Sequence, residues 1–283
     1  MESERLQTRL GPLACRASGQ GPALVFFAGA FANGDLWRDV VAALEDRYRC
    51  ITIDLPLGAH PWPLVPGADR SATSLARLLP DCLDLLDVHD ATVVANDTAG
   101  GLLLLSLASG HPALARVGRL VLTNCESYDQ FPPDKLKKAA AMCRMLPGLS
   151  RSLIRLQLRS PAGRRRVTAT VAARALDDDR AESFFGPASR DPQVAGDLVA
   201  AQGGFRPELL LDAAKEIPRF GRPVLLIWGD ACGFFPMSGA QRLASEFPSA
   251  TLVPVPGART WVPVDNPDAV AEAIIAFVPT PVP

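Results

Sequence analysis

Short apolar runs alternate with longer helical patterns along the first half of the chain. Residues 23–27 (ALVFF), 50–53 (CITI), 92–95 (TVVA) and 120–122 (LVL) have the length and apolar character of buried strands. The segments between them carry helical periodicity, as in ARLLPDCLDLLDV before the third run. Strands that are apolar throughout belong to a parallel sheet covered on both faces. From about residue 132 to 219 the strand signal vanishes, and helices punctuated by Pro147, Pro161, Pro187, Pro192 and Pro207 are expected. Residues 223–228 (PVLLIW) and 251–255 (TLVPV) restore strands, and DAVAEAIIAFV closes with an amphipathic helix. The pattern predicts an α/β core made of 1–131 and 220–283, interrupted by a helical insertion at 132–219. Such an insertion would roof the strand ends where ligands bind in open α/β sheets. The last residues, VPTPVP, read as an extended tail.

The stretch ATVVANDTAGGLLLLSLASG carries the strongest chemical signal. A short apolar strand enters a tight turn and an apolar helix, with Asp97 at the apex and small residues Ala95, Ala99 and Gly100 around it. A nucleophile elbow needs such neighbours, because the helix packs close behind the reactive side chain. The helix start would favour the carboxylate through its free N–H groups and dipole. Asp is also a preferred N-cap, and cap and elbow place the residue identically.

Composition excludes several classes. With 48% hydrophobic residues the 283-residue chain can bury a sizeable core, and a net charge of −1 gives no global pull toward nucleic acid or anionic membrane. The six cysteines (Cys15, Cys50, Cys82, Cys125, Cys143, Cys232) show neither a C-x-x-C pair nor metal spacing, so reduced thiols in a cytoplasmic protein are expected. The start, MESERLQTRL, lacks the apolar core of a secretion signal, and no uncharged run reaches membrane-spanning length. The glycines of ANDTAGG fall too late for a dinucleotide fingerprint, and neither a metal nor an organic cofactor is expected.

Six ordered stretches, FFAGAFANGDLW, ITIDLPLG, VVANDTAGG, LVLTNCE, PVLLIWGDACGFFP and VPGARTWVPVDNP, resemble landmarks of the α/β-hydrolase family over nearly the whole length. The resemblance implies a mostly parallel, doubly wound sheet with a helical cap. An aspartate at the elbow is similar to the branch of haloalkane dehalogenases and epoxide hydrolases. It makes Asp97 the catalytic residue, with Gly29, Ala30, Phe31, Asn96, Thr98, Cys232, Thr260 and Trp261 around the substrate. Backbone donors are expected from Thr98 and from Ala30 or Phe31.

The departures are as informative. Thr260 stands where the family carries its histidine, and Cys232 where it carries the acid, although Asp230 is two residues earlier. Glu126 matches an alternative acid position. The tryptophan with which dehalogenases commonly hold halide is Thr98 here, and the only tyrosines, Tyr48 and Tyr128, lie outside the insertion, whereas epoxide hydrolases commonly use cap tyrosines. An aspartyl ester needs a base-activated water to turn over, and threonine cannot serve. Of the histidines, His89 and His111 are expected at the amino ends of strands, away from the site. His60, in DLPLGAHPWPL, is expected at the carboxyl edge, either as a relocated base or as a loop histidine capping backbone groups.

Three readings follow. One is non-hydrolytic chemistry at Asp97 on an apolar small molecule: proton transfer, elimination, isomerisation or cyclisation. Another is an aspartate-nucleophile hydrolase whose base is His60 or a water on Glu126. The third is a dead descendant that binds a ligand or protein. Met142, Met145, Leu146, Phe184 and Phe185 are candidates to line a pocket under the roof. Trp37, Trp228 and Trp261 are expected at the carboxyl edge, with Trp261 the one that narrows the pocket. Arg151, Arg155, Arg159, Arg164, Arg165 and Arg166 could meet an anionic partner, or form a solvated face balanced by Asp177, Asp178 and Asp179.

Overall fold

Period-two alternation along the central strands builds the layers. Leu24, Phe26, Val94, Val121, Leu225 and Ile227 join one buried cluster, while Val25, Phe27, Val93, Ala95, Leu120 and Leu226 join another. Each strand thus presents an apolar face to both sides of one sheet. The structure, a computed structural model, describes residues 3–279. The predicted extended tail therefore falls mostly outside the described residues.

The strands are β1 (Glu4–Thr8), β2 (Gly11–Ser18), β3 (Ala23–Phe27), β4 (Arg49–Ile53), β5 (Ala91–Asp97), β6 (Val117–Cys125), β7 (Val224–Gly229) and β8 (Ala250–Val255). They form one sheet in the order β1-β2-β4-β3-β5-β6-β7-β8, parallel from β4 to β8, with β1 and β2 antiparallel at one edge. The six predicted strands are all present. The β1–β2 hairpin is an addition to the predicted sheet, because its edge strand is polar and mostly exposed and so carries no apolar run.

Helices α1 (Arg38–Leu44) and α12 (Pro267–Phe277) pack together, and α2 (Ala72–Leu85) packs on α3 (Thr98–Leu107). Short α11 (Val262–Asp265) precedes α12, and α10 (Met237–Glu246) joins β7 to β8. Between β6 and β7 the chain is helical: α4 (Lys137–Met145), α5 (Pro147–Arg159), α6 (Pro161–Val171), α7 (Asp178–Arg190), α8 (Pro192–Gly204) and α9 (Pro207–Ala213). Pro147, Pro161, Pro192 and Pro207 each begin a helix, where a missing N–H costs nothing. Pro187 differs from expectation and lies inside α7. Side chains of the insertion, among them Phe184, Phe185, Phe205 and Leu210, belong to the same buried clusters as the strands. Among the described residues no helix is long and apolar enough to cross a membrane.

The carboxyl ends of β3, β5 and β6 lie side by side, because β3 pairs with both β4 and β5 while the chain proceeds outward through β6. The loop after β3 is pinned there by buried Asp54, which accepts from Gly34 N at 2.8 Å, and by the Phe31 N–H, which donates to Leu57 O at 3.0 Å.

Candidate active site

Asp97 ends β5, and α3 starts at the next residue. Its φ of 54° and ψ of −133° lie in a region an L-residue enters only when its surroundings force it. Asp97 occupies the N-cap position, but its side chain makes none of the bonds to later α3 amides by which a capping aspartate acts. Instead Oδ2 accepts from the Ala30 N–H at 3.1 Å, and the Thr98 N–H holds the same carboxyl. These are two of the backbone donors expected from sequence. A Cβ on Gly29 would lie 2.5 Å from Asp97 Oδ2 and 2.6 Å from Thr98 N, so only glycine lets the loop approach this closely.

Asn96 ties the turn to its surroundings. Its buried amide donates to Thr123 Oγ1 (2.8 Å), to Thr123 O (3.2 Å) and to Thr260 O (2.7 Å). The elbow strand is thereby fastened both to β6 and to the loop after β8.

Asp97 opens on a cavity of about 410 Å³. Ala30, Phe31, Thr98, Glu126 and Trp261 share its wall with Asp97, and the insertion contributes apolar groups that include Met142, Ile154, Val171 and Phe205. Of the other apolar candidates, Met145 and Leu146 are exposed, while Phe184 and Phe185 are buried beneath the wall. Phe184 meets the Trp261 ring edge-on at 5.1 Å and fixes its position. Trp37 and Trp228 are buried in the core, not at the cavity.

Two carboxyls share this wall. Thr98 Oγ1 donates to Glu126 Oε1 at 3.0 Å, whereas Glu126 Oε2 is buried without a partner. Burial pushes the Asp97 carboxyl up to about 7, against the pull of the Thr98 and Ala30 N–H groups. Burial and then the Asp97 charge hold Glu126 well above the usual carboxylate range. Burial and the like charge thus both hold Glu126 toward its protonated form, and the pair resists carrying two negative charges at once.

Cys232 and Thr260 are in contact, Sγ to Oγ1 at 3.2 Å, and neither borders the cavity. They fill the space the resemblance assigns to acid and histidine. Gly29 and Asn96 likewise act behind the wall through Asp97 and the turn, and do not border the cavity.

His60 stands in the second of its two expected settings, a loop histidine bonded to backbone, and not at the cavity as a relocated base would. Its ring is 1% exposed, Nδ1 accepts from Gly58 N at 3.3 Å, and Nε2 meets Asp197 Oδ2 of α8 at 3.2 Å. Both nitrogens are thus engaged in fastening the β4 loop to α8, and the ring does not border the cavity. Asp197 also takes Leu64 N (2.9 Å) and Arg70 Nε (2.5 Å), a buried cluster that the wide sequence separation of its members concealed. His89 and His111 lie at the surface end of the sheet, engaged with Asp87 and Asp81. Among the described residues no three His, Cys, Asp or Glu side chains are grouped to hold a metal ion.

An acidic residue at a left-handed strand-to-helix turn, facing backbone donors under a helical roof, is an arrangement found in one large fold family. Residues 24–273 match the model of the alpha/beta hydrolase family. The chain belongs to that family. Within the alpha/beta hydrolases it falls in the dehalogenase-like branch. It is 30% identical over 268 residues to haloalkane dehalogenase 2 of Mycobacterium bovis, covering 91% of this chain and 88% of that one. It is 27% identical to the pimeloyl-[acyl-carrier protein] methyl ester esterase of Aeromonas hydrophila, over 92% and 96% of the two chains. The fold superposes on haloalkane dehalogenase DbeA from Bradyrhizobium elkani with a TM-score of 0.77 at 17% identity, covering 98% and 97%.

Two outcomes follow from the site. The folded state holds the Asp97 proton more tightly than the unfolded chain, so stability falls as pH rises from about 4 to about 7 and then levels. Asp97→Asn removes that titration and is expected to gain up to about 4 kcal/mol near pH 8 and little near pH 4, read by thermal denaturation. His60→Ala strips a partner from buried Asp197 and should cost about 1–3 kcal/mol in urea denaturation. If His60→Ala left stability unchanged, the fastening role would be wrong.

Proposed function

We propose that this alpha/beta hydrolase is an enzyme of proton transfer on an apolar small organic molecule, with Asp97 as base and protonated Glu126 as its acid partner. The observation that carries the reading is the carboxyl pair itself. Asp97, held up to about 7, lines an apolar cavity beside a carboxyl that burial holds toward its protonated form. A base works best when its pKa lies near the operating pH. In the proposed step the Asp97 carboxylate removes a proton from carbon next to a carbonyl, and Glu126 gives its proton to the carbonyl oxygen. The protonated Asp97 then returns a proton to carbon while Glu126 takes its own proton back: return to the same carbon exchanges the hydrogen, and in a β,γ-unsaturated ketone return to the γ-carbon of the conjugated dienol completes an isomerisation. No water has to be activated, so the missing histidine does not stop turnover.

Residues 132–219 are read as the cap that shields this step from water, in a cytoplasmic enzyme whose six cysteines are all unpaired. Two-step hydrolysis is disfavoured because no imidazole borders the cavity and burial disfavours the ionised form of Glu126 that a base would need. The halide-holding tryptophan is also replaced by Thr98, whose hydroxyl is committed to Glu126.

The test is exchange of substrate hydrogen for deuterium in D2O, followed by NMR across a panel of apolar ketones. The rate should rise as pH passes about 7, where Asp97 ionises, and fall again where Glu126 loses its proton. Asp97→Asn should reduce it at least about a hundredfold. Exposure to a bromoalkane should leave the intact mass of the protein unchanged. A persistent alkyl ester on Asp97 would overturn proton transfer in favour of nucleophilic attack without turnover, and absence of exchange across the panel would favour a binding role.

A further inference from the structure

The outer part of the helical insertion combines two features that the chemistry at Asp97 does not use. Residues 135–176 contain eleven Lys and Arg and no Asp or Glu, in a chain whose net charge is only −1. The same stretch holds six of the nine most exposed large apolar side chains among the described residues: Leu136, Met145, Leu146, Leu149, Leu153 and Leu156.

Helical geometry sorts these groups into stripes. Leu149, Leu153 and Leu156 recur at i, i+4 and i+7 along α5 and are 50%, 44% and 67% exposed, while Leu158 is buried on the opposite side. Arg151, Arg155 and Arg159 recur at i, i+4 and i+8 on another side of α5, where Arg155 donates to Arg190 O at 3.0 Å and Arg159 to Ser189 O at 3.2 Å, so the cations beside the leucines come from the adjoining helices. Neighbouring α4 and α6 add Lys137, Lys138, Arg144, Arg165 and Arg166.

Nearby acids balance only part of this charge: Asp134 pairs with Lys137, and Asp178 and Asp179 share a pocket with Arg164 and Arg165. Asp177 caps α7 through Arg180 N at 2.7 Å and approaches Arg38 at 3.7 Å, and Glu182 is shared by Arg164 and Arg190. Arg144, Arg151, Arg165 and Arg166 have no ion pair among the described residues. The apolar ridge also runs into the cavity, because Leu136 and Leu153 are both exposed and part of its wall.

We propose that this face docks on an anionic lipid surface, with the α5 leucines in the headgroup boundary and the surrounding cations at the phosphates. Amphipathic helices with this composition lie in that plane. A membrane is the occupant the surface fits best. The apolar part is a ridge of flexible aliphatic side chains suited to a fluid phase, and the cations are spread over two helices rather than gathered opposite a point charge. Docked this way, the cavity mouth at Leu136 and Leu153 faces the bilayer, and a poorly soluble apolar molecule enters from the lipid. The docking stands apart from the chemistry at Asp97; only the route of entry rests on the proposed function.

The test is flotation of the full chain with vesicles of phosphatidylcholine, alone or with about one-third phosphatidylglycerol. Binding is expected to anionic vesicles at low salt, to disappear at high salt, and to be absent on neutral vesicles. The triple variant K138E/R144E/R166E and the double variant L149S/L156S should each reduce it at least about tenfold, with circular dichroism unchanged because these side chains are exposed. Failure to float with anionic vesicles would overturn the proposal, whatever the outcome of the deuterium exchange. So would binding that neither variant weakens. A dimer in light scattering that L149S/L156S dissolves, without vesicle binding, would assign the ridge to a second copy of the chain instead.

Discussion

The structure turns on how closely three backbone segments can meet at Asp97. The residue is held at positive φ, which costs about 1–3 kcal/mol for a non-glycine residue and persists only where its neighbours determine it. They do so through absent side chains and shared hydrogen bonds. Gly29 lets the β3 loop reach the carboxyl, while Gly100 and Gly101 let α3 lie against Cys125 and Glu126 at the end of β6. Asn96 then locks β5 to β6 and to the loop bearing Thr260. Bringing β6 this near is also what places Glu126 beside Asp97, so the geometry of the turn creates the electrostatic problem of the site.

That problem is two carboxyls in one low-dielectric wall with only N–H and O–H donors to hold them. Burying one carboxylate is expensive, and burying two with like charge more so. A protonated histidine at the position of Thr260 would have offset one of those charges. Without it, the pair relieves itself by holding protons more tightly: Glu126 is raised well above the usual carboxylate range, and Asp97 is pushed up to about 7. The state that makes nucleophilic hydrolysis hard is the one that pairs a base with an acid.

Much of the frame was legible from local pattern. The central strands declared themselves because apolar residues line both their faces, and Asp97 because strand, small residues and apolar helix meet at it. The β1–β2 hairpin was not legible, since an edge strand facing solvent carries no buried run. The fate of His60 was hidden for a different reason: its partner Asp197 is 137 residues away on α8, and direction within a loop has no sequence signature. The Thr98–Glu126 bond and the support of Trp261 by Phe184 are likewise long-range contacts of a well-packed interior, which periodicity does not encode.

The contact between Cys232 and Thr260 shows how the site can lose ionisable groups and keep its shape. Both side chains are small and weakly polar, and each satisfies the other at 3.2 Å, so the space behind the wall is filled without an unpaired charge. Trp261, packed on Phe184 and Phe185, closes the same side with apolar surface. A cavity bounded in this way has little to offer a water that must be deprotonated. It retains an apolar enclosure with two carboxyls at its edge whose protons burial holds more tightly, the combination on which the proposed transfer of a substrate proton rests.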